Sequence, residues 1–263
     1  MDILKEISNI GIIPVIKIND ASKAVPLAKA LIDGGLAAAE VTFRTDAAEE
    51  SIRAISKAFP DMNVGAGTVL TIDQAQRALN AGAKFIVSPG FNPKVVKWCL
   101  EQGVTPLPGI NTPSEIEQAL ELGLKVVKFF PAEQSGGLAK IKAMSAPYGG
   151  VKFMPTGGIN TENVCEYLAS NKILACGGSF MVKESYIDND NWDEITALTK
   201  KAVELMLGLE IAHIGINNEN EAEAKATAEA MALVMGKSIE RESAKGMFVG
   251  AQFEIMKSHG PGK

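Results

Sequence analysis

The chain has 263 residues, 46% hydrophobic and 22% charged, enough for one large domain with a remainder. Its net charge of −5 gives no basic footprint for nucleic acid, and no apolar run approaches the roughly 20 residues needed to span a bilayer. The mixed, charged start from Met1 to Asn9 is not expected to act as a secretory leader. Cys99, Cys165 and Cys176 are odd in number, far apart and set in apolar patterns, so reduced core thiols of a cytoplasmic protein are expected.

Short apolar runs rich in branched residues alternate with segments of helical period eight times by residue 207. The expected strands are Ile12 to Ile18, Ala37 to Phe43, Asn63 to Val69, Phe85 to Pro89, Thr105 to Ile110, Lys125 to Pro131, Lys152 to Thr156 and Leu174 to Phe180. In the first helix after a strand, Ala24, Val25, Ala28, Leu31 and Ile32 share a face, Gly34-Gly35 is the stop, and Pro26 is expected to kink the early turns. Thr71 with Gln74 and Thr112 with Glu115 have the spacing of capping boxes, the second with Pro113 at the first helical position. Eight strand-then-helix units in this length predict an α/β fold, a (β/α)8 barrel of residues 1–207. A doubly wound sheet is the rival, but Ile18-Asn19-Asp20-Ala21 lacks the glycines of a dinucleotide fingerprint.

Chemistry in such a barrel gathers at the C-terminal strand ends. Lys128 lies in the apolar run Lys125-Val126-Val127-Lys128-Phe129-Phe130-Pro131, where burial disfavours the ammonium form and favours a free, nucleophilic amine. The competing readings are a lysine that snorkels to solvent or one that pairs with a carboxylate. Glu40 and Thr42 share a strand face, and a carboxylate there needs a partner, for which Lys128 is available. The two form either a structural ion pair or a nucleophile and acid/base couple. Gly157-Gly158 and Gly177-Gly178 end the last two strands, where glycines let backbone N–H groups approach an anion. Asn160 reads as the N-cap of the helix that follows, and these two loops are the usual phosphate site of such barrels.

The segments Glu40-Val41-Thr42-Phe43-Arg44-Thr45, Gly65-Ala66-Gly67-Thr68-Val69, Val87-Ser88-Pro89-Gly90-Phe91, Lys128-Phe129-Phe130-Pro131-Ala132-Glu133 and Pro155-Thr156-Gly157-Gly158-Ile159 resemble, in order, the motifs of the 2-keto-3-deoxy-6-phosphogluconate (KDPG) and 4-hydroxy-2-oxoglutarate (KHG) aldolase family. The resemblance covers residues 1 to about 207. It implies a class I aldolase, a lyase built as a homotrimeric barrel with no metal and no other cofactor, acting on a phosphorylated keto acid to give pyruvate and glyceraldehyde 3-phosphate. By the same resemblance Lys128 forms the Schiff base and Glu40 moves the protons. Arg44 and Thr68 hold the substrate carboxylate, and Pro89 and Phe130 wall the pyruvyl pocket. Thr156, Gly157, Gly158 and Ser179 take the hydroxyl and phosphate end. The alternatives are the related enzyme specific for the 6-phosphogalactonate epimer, a catalytically quiet sugar-phosphate-binding barrel, and a phosphate-binding epimerase, which would not require Lys128.

Residues 208–263 extend past the family's usual end. Leu209 to Ile216 reads as a strand, Asn220 to Met235 as an alanine-rich helix, and Ser238 to Met256 as strands around a turn at Lys245-Gly246, a βαββ-type extension. Beginning with His213-Ile214-Gly215-Ile216, this order is similar to half of a vicinal-oxygen-chelate (glyoxalase-like) module. Some such modules hold a metal through residues matching His213 and Glu254, but two ligands fall short of a three- or four-ligand site and no metal is expected. Fifty-six residues are few for an independent core, so the tail is expected to pair with neighbouring tails in a higher assembly or to pack on the barrel.

Overall fold

A computed structural model describes residues 2–208 and 213–258. These form two compact units, Met1–Leu207 and Gly208–Lys263. Among the described residues of the first unit, nine strands occupy the eight positions of a barrel. They are β1 (Ile12–Ile16), β2 (Ala38–Thr42), β3 (Asn63–Gly67), β4 (Phe85–Val87), β5 (Thr105–Leu107), β6 (Gly109–Ile110), β7 (Val126–Phe129), β8 (Lys152–Pro155) and β9 (Cys176–Gly178). Hydrogen-bonded neighbours run β5-β4-β3-β2-β1-β9 and β6-β7-β8, with every pairing parallel. Bridges from Phe153 to Ile173 and from Thr156 to Gly177 join β8 to the β9 side, and the chain through Pro108 joins β5 to β6. The fifth expected strand is therefore one barrel position broken at Pro108, which has no N–H to give to a ladder but whose carbonyl accepts from the Lys128 N–H at 2.9 Å.

Alternation along the strands separates two cores. Ile13, Ala38, Phe85, Val87, Leu107, Val126 and Met154 fill the barrel interior, and Ile12, Val41, Val64, Ile86, Val127 and Phe153 pack outward against the helices. Glu40 and Thr42 share the inward parity of Ala38, and Lys128 that of Val126. The register of the fold thus aims a carboxylate and an amine into the same interior.

The chain start is a helix, Ile3–Ile10, capped by the Asp2 carboxylate on the Leu4 N–H at 3.0 Å and anchored by buried Ile7 in the interior cluster. Its short length and charges hid it from a reading by periodicity. Pro26 kinks nothing: it lies in the first turn of the helix Ala24–Asp33, where its missing N–H has no helical acceptor, and a 3₁₀ turn at Ala21–Lys23 leads into it. Cys165 is exposed rather than in the core. Burial pushes the Cys99 and Cys176 thiols up to about 11 and about 12, so both stay protonated at neutral pH.

The second unit is a four-stranded sheet of β10 (Ile214–Asn217), β11 (Ile239–Glu242), β12 (Gly246–Val249) and β13 (Phe253–Met256), in the order β10-β13-β12-β11. The helix Glu221–Met235, capped by Asn220, lays Ala224 and Ala228 on Met247, Val249 and Ile255. The order is βαβββ, one strand more than the pattern predicts, because a second turn follows β12 at Gly250, whose φ of 56° suits glycine. Leu209 to Ala212, the start of the expected first strand, lies outside the described residues.

Candidate active site

The interior places Lys128 Nζ 3.1 Å and 3.5 Å from the two oxygens of Glu40, with the residues 5% and 1% exposed. This is direct proton-transfer reach for an amine and a carboxylate. Room for the carboxylate comes from Gly67 on the neighbouring strand, since a Cβ there would lie 2.2 Å from Glu40 Oε1. Lys128 Nζ sits 5.5 Å from the centre of the Phe130 ring, within cation–π range.

Arg44, just past β2, donates from Nε to Thr68 Oγ1 at 3.2 Å. Thr68 is one of two non-glycine residues with positive φ among the described residues, at 55°. A β-branched residue in that region costs about 1–3 kcal/mol, a strain that marks functional loops. Its hydroxyl is thereby presented to the guanidinium at the strand ends.

A cavity of about 480 Å³ is lined by Arg44, Thr42, Phe130, Thr156, Gly157, Gly158, Gly177, Gly178 and Ser179, and also by Ile16, Lys17, Lys183 and Glu184. Thr156 Oγ1 is buried with no hydrogen-bond partner. An orphaned buried hydroxyl is costly unless a ligand completes it. Gly157 and Gly158 have φ of 101° and 81°, so this turn is a true glycine position. Gly177 and Gly178 instead lie within β9, and the first of them makes space: a Cβ on Gly177 would be 2.3 Å from Thr156 Oγ1.

The cavity lining leaves out several of the expected site residues, and one helix start differs from expectation. Pro89 does not wall this cavity; its carbonyl packs over Gly109, where a Cβ would approach within 2.1 Å. Asn160 does not cap a helix directly, because its Oδ1 accepts from the Glu162 N–H at 2.8 Å and the helix that follows, Val164–Leu168, begins only after Asn163. Lys128 and Glu40 are buried and are not among the residues that line this cavity.

Lys17, Lys183 and Glu184 are additions that sequence reasoning missed. Lys17 Nζ lies 2.5 Å from Glu184 Oε1, which also accepts from Asn19 at 2.9 Å, and these hydrogen bonds hold the Glu184 carboxyl below the usual carboxylate range. With Arg44, the cavity lining carries three cations against one carboxylate, a balance suited to an anion. The signal was Lys17 as the first cation after the apolar run Ile12-Ile13-Pro14-Val15-Ile16, which ends β1 one residue earlier.

In the second unit His213 Nε2 and Glu254 Oε2 pair at 2.9 Å beside the edge of Phe248. Among the described residues, no group of three or more His, Cys, Asp or Glu is arranged to hold a metal ion. No helix among them is long and apolar enough to cross a membrane.

Residues 3–198 match the family model for KDPG and KHG aldolase. The chain is 50% identical over 204 residues to the 2-dehydro-3-deoxy-phosphogluconate aldolase of Treponema pallidum (strain Nichols), covering 78% of this chain and 97% of that one. It is 43% identical to the KHG/KDPG aldolase of Escherichia coli K12, over 73% of this chain and 91% of the other. The KDPG aldolase of Legionella pneumophila, solved with pyruvate captured as a covalent carbinolamine, superposes with a TM-score of 0.73 at 38% identity, covering 76% of this chain and 97% of that one. Match, identity and fold agree over the barrel: the chain belongs to the KDPG and KHG aldolase family.

Proposed function

We propose that the protein is a class I aldolase that cleaves 2-keto-3-deoxy-6-phosphogluconate to pyruvate and glyceraldehyde 3-phosphate, and 4-hydroxy-2-oxoglutarate to pyruvate and glyoxylate. The observation that carries this reading is the buried Lys128–Glu40 pair, together with a cavity lined by glycines and by Lys17, Arg44 and Lys183. The amine attacks the substrate ketone and, after loss of water, holds it as an iminium ion, an electron sink for the C3–C4 bond. Glu40 assists the dehydration, accepts the C4 hydroxyl proton as that bond breaks, and returns a proton to the enamine carbon before hydrolysis frees pyruvate. The substrate carboxylate goes to Arg44, whose fork gives two charge-assisted hydrogen bonds, with Thr68 beside it. Phe130 covers the imine, Pro89 stands behind the same end, and Thr156 meets a substrate hydroxyl with its unpartnered oxygen.

The phosphate belongs at Gly157, Gly158, Gly177, Gly178 and Ser179. Measuring pyruvate release from the gluconate and galactonate epimers and from 4-hydroxy-2-oxoglutarate in parallel tests the reading; release from none would end it. Ser179→Asp adds a negative charge at the cavity wall and is expected to lower kcat/KM for the phosphorylated substrate by about 10- to 100-fold, while sparing 4-hydroxy-2-oxoglutarate. Equal losses on the two substrates would place the phosphate elsewhere.

The working form we infer is a cytoplasmic homotrimer, supported by family membership and by the exposed apolar Leu70, Ile72, Leu100 and Leu120 on the barrel. The βαβββ order of the second unit supports the glyoxalase-like likeness, with tail pairing between trimers as its role. Truncation after Gly208 is expected to leave turnover and the trimer intact and to remove any larger assembly. Initial rates with light scattering on the two forms check this, and a folded but inactive barrel would show that the tail completes the site.

A further inference from the structure

Tyr167 and Glu133 form a hydrogen-bonded pair next to the Gly157-Gly158 turn. Tyr167, on the short helix Val164–Leu168, is 2% exposed and gives its hydroxyl hydrogen bond to Glu133 Oε1. Glu133 follows β7, the lysine strand, and its backbone N–H donates to the Gly157 carbonyl at 3.1 Å, while Ala132 N–H donates to the Thr156 carbonyl at 2.8 Å. The Glu133 stem underlies the glycine turn: a Cβ on Gly158 would be 2.6 Å from both its Cβ and its Cγ. Gly137 leaves the space for the tyrosine contact, since a Cβ there would lie 3.0 Å from both Glu133 Oε1 and Tyr167 Oη.

The carboxylate is therefore one side-chain length from the turn that walls the cavity, yet Glu133 is not part of that wall. Among the described residues no lysine or arginine pairs with it, and the phenol is the only group that donates to its side chain. Burial first, and then the bond to Glu133, push the Tyr167 hydroxyl well above its ordinary value, so the donor stays protonated at any working pH.

We propose that Tyr167 holds the Glu133 carboxylate turned away from the Gly157-Gly158 turn, making the pair a positioning element that keeps a like charge off the substrate phosphate. The inference rests on the proposed placement of phosphate at that turn. Released from the phenol, the carboxylate can swing along its own stem toward Gly158. A like charge within about 8 Å across a partly solvated site weakens anion binding by about tenfold. A loss of that kind falls on KM for the phosphorylated substrate and leaves the Lys128 chemistry alone.

The test compares Tyr167→Phe, Glu133→Gln and the double variant by steady-state cleavage of the phosphorylated substrate and by exchange of pyruvate methyl protons, which leaves the phosphate end empty. Tyr167→Phe is expected to raise KM about tenfold with kcat and proton exchange within about twofold of wild type. Glu133→Gln, which keeps an acceptor for the phenol, is expected to bind the substrate at least as well as wild type. The double variant is expected to recover the wild-type KM, because no charge is left to swing. An unchanged KM in Tyr167→Phe, a parallel fall in exchange and cleavage, or a double variant as impaired as Tyr167→Phe would each overturn the inference. Cleavage and exchange by the wild-type enzyme report separately on the aldolase reading itself.

Discussion

Reduction with borohydride in the presence of pyruvate is expected to leave one covalent adduct on Lys128, and Lys128→Met is expected to abolish turnover. The effect is the largest available because no other amine meets Glu40 in the interior: the contact at 3.1 Å is the one buried ion pair among the described residues. Intact-mass measurement followed by peptide mapping reads the adduct directly. An adduct mapped to Lys17 or Lys183, or none, would exclude the Schiff-base route through Lys128. Loss of activity in Lys128→Met has a second cause to separate, since removing one partner of a buried pair costs about 3–5 kcal/mol. Against a total stability of about 5–15 kcal/mol that is a serious loss. Lys128→Met combined with Glu40→Gln leaves no buried charge and is expected to be as inactive as the single variant but better folded by thermal denaturation.

Glu40→Gln is expected to retain formation of the pyruvate adduct yet slow both cleavage and exchange of the pyruvate methyl protons by about 100- to 10,000-fold. The amide fits the space opened by Gly67 and still accepts a hydrogen bond from Lys128, so binding and fold survive while the proton carrier is lost. Nuclear magnetic resonance of the methyl signal in heavy water measures the exchange. A wild-type rate in this variant would assign proton transfer to another group and reduce Glu40 to an anchor for the lysine.

The buried pairing of Lys128 with Glu40 was legible in sequence for a physical reason. A charge inside an apolar strand has only two fates, escape or a partner, and the parity of Ala38-Ala39-Glu40 and Val126-Val127-Lys128 turns both charges inward. Eight repeats of strand and helix made the barrel equally plain. What escaped notice depends on where a strand stops. The first run was expected to extend to Ile18, which buries Lys17 in the middle of a strand; β1 ends at Ile16, and the lysine reaches Glu184 in the cavity lining.

Loop geometry was harder still. Asn160 has the residue type of an N-cap, but its side chain satisfies a turn two residues on, a local competition that sequence spacing does not resolve. Pro89 stands at a strand end but does not line the cavity, and its carbonyl packs closely on Gly109. The extra strand β13 followed from Gly250, a single residue whose turn conformation only the backbone reveals.

Gly67 and Gly177 give the site an unusual kind of vulnerability. Neither reacts with anything, and each merely declines to occupy volume that Glu40 or Thr156 needs. The smallest possible lesion in this enzyme is therefore one methyl group on a bystander, delivered by an ordinary glycine-to-alanine codon change. Keeping the site intact requires vacant space on β3 and β9 as well as Lys128 and Glu40 themselves.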